Sequence, residues 1–114
     1  MAKYYGVLDD VFAALADPSR RAVVQRLGSG PASVGELAES APITLPSFLK
    51  HIRVLEASGL IRTTKTGRVR HCELDRERFA LVDDWLAEQR RIWEGRTDRL
   101  ENFLTANKES PDES

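Results

Sequence analysis

The chain has one cysteine, Cys72, and only two histidines, His51 and His71, among 114 residues. A lone thiol closes no internal disulfide, and so few soft ligands leave little material for a metal site. Cys72 therefore reads as a small buried apolar group in a strand, the alternative being a pairing with a second copy across a dimer axis. Long hydrophobic runs are missing as well. The longest, Val11 to Ala16, is six residues and follows Asp9 and Asp10, which fits neither a transmembrane span nor a signal-peptide core. With no export signal visible, a cytoplasmic location is expected. The sequence shows no phosphate loop, no paired carboxylates in a pocket context and no activated cysteine, and these absences argue against an enzyme.

What is present is enough for one small domain. At 41% apolar and 31% charged residues with a net charge of −1, the chain has material for a core and too little charge imbalance to remain disordered. A domain of this size buries only about two-thirds of its unfolded surface, so association with a second copy would add stability. The expected division is a folded domain over 1–105 and a disordered tail over 106–114.

The near-zero net charge hides a partition. Residues 1–42 carry four bases and five acids, residues 43–71 carry six bases against Glu56 alone, and residues 72–114 carry seven bases and twelve acids. A basic middle in an otherwise acidic chain attracts a polyanion locally, although a solvated charged face is the plainer reading of any such block.

Helical spacing of Val7, Val11 and Leu15, with Leu8 and Phe12 beside them, predicts a first helix over 7–16. Asp17-Pro18 restarts the chain as cap and first helical residue of a second helix, which runs to about Leu27 and stops at Gly28 and Gly30-Pro31. Ser33-Val34-Gly35-Glu36 fits a capping box opening a short helix to about Ser40. After Pro42, Thr44 caps a fourth helix, Leu45 to about Ser58, closed by Gly59. Two helices joined by a turn of about four residues make a helix-turn-helix. Leu60 to Lys65 and Arg68 to Leu74 flank Thr66-Gly67 with apolar and basic residues alternating, a two-stranded hairpin that forms a wing. From Asp75 or Arg76 to about Leu104 runs one long amphipathic helix, some 45 Å if continuous and too long for this domain to cover alone. The fold class is thus mostly α with a small β-hairpin: five helices and a two-stranded wing.

On the fourth helix, Leu45, Phe48, Ile52 and Leu55 share the core side, whereas Pro46, Lys50, Arg53 and Ala57 face the opposite way with Ser47 and Leu49 on the flanks. A helix with two exposed bases and a hydroxyl, followed by a hairpin with Arg62, Lys65, Arg68 and Arg70, suits insertion into a major groove with clamping of the backbone. His51 has two readings, a boundary side chain packed on the preceding helix or a donor to phosphate or a base edge. Arg20 and Arg21 are surface or structural ion pairs first, and Arg20 is a weaker candidate for a phosphate. The two tryptophans read as core or, since aromatics gather where subunits meet, as interface.

The runs Val11 to Arg21, Ser47 to Ile61 and Gly67-Arg68-Val69-Arg70, in that order, resemble the ArsR family of winged-helix transcriptional repressors over about residues 7–105. The resemblance implies a homodimer joined through its first and last helices, with Val7, Leu8, Val11, Phe12, Trp85, Leu86, Ile92, Trp93, Leu100 and Phe103 at the interface. It also implies double-stranded operator DNA as the partner, an inverted repeat read by two recognition helices, and repression of the protein's own or a neighbouring operon. Metal-sensing members place cysteines before the recognition helix, or aspartate and histidine on the last helix. Here those places read Glu36-Leu37-Ala38-Glu39-Ser40 and Val82-Asp83-Asp84-Trp85-Leu86-Ala87-Glu88, so no metal and no other cofactor is expected, and any effector is unknown. Leu49 stands where many relatives have a small hydroxyl residue. It cannot hydrogen-bond a base, although it can pack on a thymine methyl. The competing reading is a winged-helix module whose basic face docks an acidic protein.

Overall fold

A computed structural model describes residues 2–113. The order of elements is α1 (Ala2–Leu15), α2 (Pro18–Leu27), β1 (Ala32–Ser33), α3 (Val34–Glu39), α4 (Leu45–Ala57), β2 (Ile61–Thr66), β3 (Val69–Leu74) and α5 (Arg76–Glu113). The chain divides into two compact units, one up to Phe79 and one from Ala80 onward.

In the first unit, local chemistry sets the helix boundaries. Asp17 is extended (φ −100°, ψ 131°), as the residue before a proline prefers, and its side chain accepts from the backbone N–H of Arg20 at 3.1 Å. Ser33 and Glu36 close the expected capping box on α3, and Thr44 caps α4 by accepting from the N–H of Ser47. Gly59 ends the α4 segment with φ +82°, a left-handed conformation that glycine adopts freely. A Cβ there would also lie 2.6 Å from the Arg78 Nε. Ser58 beside it is buried; its hydroxyl donates to the Leu55 carbonyl at 2.7 Å and accepts from the Leu60 N–H at 3.3 Å.

The wing is a three-stranded antiparallel sheet in the order β1-β3-β2, not the two-stranded hairpin expected. The extra strand is two residues long, with Ala32 opposite Cys72 and Ser33 opposite His71. Strands β2 and β3 pair from Ile61↔Leu74 to Thr66↔Val69, so the turn is Gly67-Arg68, with Gly67 left-handed at φ +63°.

The core of this unit gathers Leu8, Val11 and Ala14 of α1, Val23 and Leu27 of α2, Leu37 of α3, Phe48, Ile52 and Leu55 of α4, and Leu60, Ile61 and Cys72 of the sheet region. Leu45 does not join them. Although it lies on the same side of the wheel as Phe48, it is 56% exposed, because it is the first residue of α4 and precedes the turn that meets the core. Cys72 is fully buried, and desolvation is the main cause that pushes its thiol above the usual range, with the Glu56 charge adding to it.

The second unit is helical backbone through Glu113. It passes Leu104, where the sequence pattern ends, and includes most of the segment expected as a tail; Ser114 lies outside the described residues. Thr105 to Ser110 hold no glycine or proline to stop the helix, and loss of amphipathic pattern alone does not end one. Leu86, Ile92, Trp93, Leu100, Phe103 and Leu104 along it are 46–62% exposed.

Candidate nucleic-acid interface

Two sets of basic residues stand apart in the helix-turn-helix and wing. At the corner between α1 and α2, Arg20 donates from Nε to the Ala14 carbonyl at 2.7 Å and from Nη2 to the Ala13 carbonyl at 3.2 Å, while Arg21 Nη1 donates to the Leu15 carbonyl at 2.8 Å. Each α-helix leaves its last carbonyls unpaired, so both arginines act as a C-terminal cap for α1. Arg20 Nη1 also lies 3.0 Å from His51 Nδ1. A guanidinium only donates, so Nδ1 accepts and the ring proton sits on Nε2. The Asp17 carboxylate is 3.8 Å from the same Nδ1. Asp17, Arg20 and His51 therefore join α2 to α4, and the Arg20 guanidinium, a weaker candidate for a phosphate, has three partners within the chain. His51 is half-buried, with one ring nitrogen engaged by Arg20 of α2.

The acceptance of the Arg20 N–H is the largest cause that holds the Asp17 carboxyl below its ordinary value. Desolvation opposes it, and nearby positive charge, from His51 when its ring is protonated and from Arg20, reinforces it.

The other set lies on α4 and the wing. Lys50 and Arg53 are exposed on α4, and Lys65 and Arg68 are exposed at the end of the hairpin. Among the described residues, none of these four makes an ion pair or hydrogen bond, unlike their neighbours. Arg62 pairs across the strands with Glu73 at 3.6 Å, where both side chains are well exposed. Arg70 donates from Nη1 to the Thr63 hydroxyl at 2.8 Å, and that hydroxyl donates to Glu56 Oε2 at 2.6 Å. The sequence reading counted Glu56 only as a solitary acid in a basic block. Its partners come from β2 and β3, so no spacing rule within α4 reveals that it ties the last turn of α4 to the wing. Lys65 sits directly opposite Arg70, and like charges in that position destabilise a ladder unless an anion lies between them or against them.

Ser47 is exposed, and its hydroxyl accepts from Thr44 Oγ1 at 3.1 Å; Leu49 is half-buried on the flank. Among the residues expected at a subunit interface, Leu8 and Val11 are 3% and 0% exposed within the chain, which leaves a partner nothing of them to cover. Val7 is half-buried, and Phe12, 41% exposed, is the outward residue of that group on α1. Trp85 is half-buried. Among the described residues no three His, Cys, Asp or Glu side chains group to hold a metal ion, and no helix is long and apolar enough to cross a membrane.

Comparison with known proteins meets this geometry from outside. Residues 15–64, from the end of α1 into β2, match a family model described as a helix-turn-helix domain. A crystal structure of an ArsR family transcriptional regulator, RHA00566, superposes with a TM-score of 0.77 at 56% identity, over 82% of this chain and 97% of that one. The chain belongs to the ArsR family of winged helix-turn-helix regulators. It is 42% identical over 67 residues to the HTH-type transcriptional regulator Rv2034 of Mycobacterium tuberculosis, covering 59% of this chain and 63% of the relative's length. It is 31% identical over 61 residues to the transcriptional repressor SdpR of Bacillus subtilis, covering 54% of this chain and 68% of the relative. The family is one of transcriptional regulators, which is not an enzyme class.

Proposed function

We propose that this ArsR-family protein is a homodimeric, sequence-specific DNA-binding regulator that represses its own or a neighbouring operon. Helix α4 enters the major groove of each half of an inverted repeat, and the wing grips the flanking backbone. One observation carries the reading: four exposed cations whose side chains have no partner among the described residues, Lys50 and Arg53 on the outward face of α4 and Lys65 and Arg68 at the hairpin end, stand together on the two elements with which a winged helix meets DNA. Ser47, near the N-terminus of α4, and Lys50 and Arg53 one and two turns on, occupy the positions from which a recognition helix reads base edges. Lys65 and Arg68, with Arg62 and Arg70 beside them, supply the salt-dependent grip on phosphates. Leu49 contributes an apolar contact to the same groove. The exposed apolar side chains of α5, from Leu86 to Phe103, are the surface through which a second copy completes the molecule, and two copies place two recognition helices about 34 Å apart along the duplex.

The deciding experiment selects genomic fragments on the purified protein and then footprints the recovered sites. The expected result is nanomolar binding at ~150 mM salt to an inverted repeat and protection of both half-sites, with scrambled DNA left unbound. Equal affinity for both, or capture of an acidic protein with no DNA protected, defeats the proposal. A chain ending after Leu86 should sediment as a monomer or aggregate, and a compact soluble dimer of that fragment removes α5 from the interface.

A further inference from the structure

A cleft of about 260 Å³ opens in the helix-turn-helix itself, between α2, α3 and the first turns of α4. Its floor and walls are apolar: Val23 and Ala22 of α2, Leu37 of α3, Pro42 of the turn and Phe48 of α4. The lining also includes three polar residues, Ser19, Ser40 and Arg26, the last with a guanidinium about half exposed. The volume lies just below the ~300–1,000 Å³ of drug-sized sites, so the occupant is small, and the mixture of an apolar cavity with a few polar groups at one edge is the usual makeup of a ligand site.

Arg26 defines the chemistry of that edge. Its Nη2 is 3.9 Å from Glu36 Oε2 and its Nη1 donates to the Gly30 carbonyl at 3.3 Å, both long contacts of a side chain about half exposed. Glu36 is also committed elsewhere, since its other oxygen closes the capping box on Ser33 at 3.4 Å. A carboxylate arriving from solvent can take a bidentate place on Arg26 without breaking that box.

From this geometry we infer that the cleft binds a small amphipathic monocarboxylic acid, its apolar body against Val23, Leu37 and Phe48 and its carboxylate on Arg26. Phe48 is the side chain that roots α4 in the core, and Pro42 lies in the turn that aims it. Occupancy therefore bears on the recognition helix, and the acid is an effector. This second clause rests on the DNA-binding reading above, whereas the binding site does not.

The test uses the full chain, labelled with ¹⁵N, titrated with phenylacetate and, separately, with its neutral counterpart phenylacetamide. Phenylacetate should shift the amides of Ala22, Val23, Leu37, Ser40 and Ala41 saturably, with a dissociation constant at or below about 1 mM, which ten non-hydrogen atoms can supply. Phenylacetamide and the Arg26→Gln variant should each bind at least about tenfold more weakly, the loss of one charge-assisted contact. Ala22 is exposed at the cleft, so Ala22→Phe should fill it from the solvent side and abolish saturation without disturbing the core. No saturation by about 10 mM, shifts centred elsewhere, equal affinity for acid and amide, or full binding by Ala22→Phe overturns the site. In fluorescence anisotropy on a selected DNA site, saturating phenylacetate should change the affinity at least about threefold, as reciprocal coupling requires. An unchanged affinity overturns the effector role. If no DNA is specifically bound, the regulator reading fails while the amide shifts still decide the cleft.

Discussion

Two groups of basic side chains share one helix-turn-helix unit and are used in opposite ways. At the α1–α2 corner, Arg20 and Arg21 point their guanidinium groups at the carbonyls of Ala13, Ala14 and Leu15, and Arg20 adds His51. On α4 and the hairpin end, Lys50, Arg53, Lys65 and Arg68 have no such partner among the described residues. Counting charge along a sequence treats both groups alike. The difference lies in what surrounds them: helix ends are rich in unpaired acceptors and absorb arginines, whereas the outward face of a helix and a strand end offer none. Within residues 18–74, a surface for a polyanion is what remains after the committed cations are removed from the count.

The largest expected break in this comparison comes from reversing charge in the uncommitted group. Lys50→Glu with Arg53→Glu should weaken specific DNA binding at least about 100-fold, from the loss of two contacts of ~1–3 kcal/mol each, and should shift the melting temperature by less than ~2 °C, as exposed substitutions do. Lys65→Gln with Arg68→Gln should instead weaken binding to all sequences alike and make the dependence of log affinity on log salt shallower by about two. Titration of affinity against salt separates the pairs; identical slopes in the wing double variant and the parent would remove the wing from the interface.

The committed group should answer in the other direction. Arg20→Ala strips the end of α1 of two donors and leaves His51 Nδ1 without its own, so unfolding should be easier by about 2 kcal/mol, or very roughly 10 °C in a domain of this size. The salt slope of DNA binding should not change. A shallower slope with an unchanged melting temperature would move Arg20 back to the DNA surface.

Much of this was open to reading from the chain alone because it is local. Asp17-Pro18, Ser33 with Glu36, and Thr44 announce helix starts within four residues, and the outward position of Lys50 and Arg53 follows from helical periodicity. What escaped depends on distant partners. Strand β1 is two residues whose mates lie about forty positions away in β3, too short for any periodicity to register. Arg20 meets His51 across thirty-one residues. Leu45 shows the limit of the wheel itself, which gives direction around an axis and says nothing of whether the core extends that far along it.

Arg70 stands between the two groups and sharpens the boundary. It is exposed and opposite Lys65, yet it is tethered through Thr63 to Glu56. Arg70→Gln should therefore lower the salt slope by less than the ~0.9 expected of a full phosphate contact. It should also destabilise by about 0.5–1 kcal/mol, the net worth of an ordinary hydrogen bond. Thr63→Val, which cuts the tether and keeps the cation, should leave the slope at the parental value or steepen it. A slope change equal to that of Lys65→Gln places Arg70 wholly among the DNA contacts.

The smallest expected effect concerns the acid that organises the committed corner. Asp17 caps α2 through the Arg20 N–H and faces the His51–Arg20 pair. Its carboxyl titrates below its usual 3.8, mainly because the ionised form accepts that N–H. A carboxylate depressed on folding stabilises the native state above its unfolded value and loses that contribution as pH falls through the folded one. Asp17→Asn retains an oxygen to cap the helix but carries no charge. The melting temperature of the parent should therefore exceed that of Asp17→Asn at pH 5, and the margin should close below pH 3.8, toward the depressed folded value. Lysine and arginine stay charged throughout this range, so the uncommitted cations do not contribute to the change. A margin that persists unchanged to pH 2 would mean that the charge of Asp17 is not what orders the corner, and Arg20 would be held there by the α1 carbonyls alone.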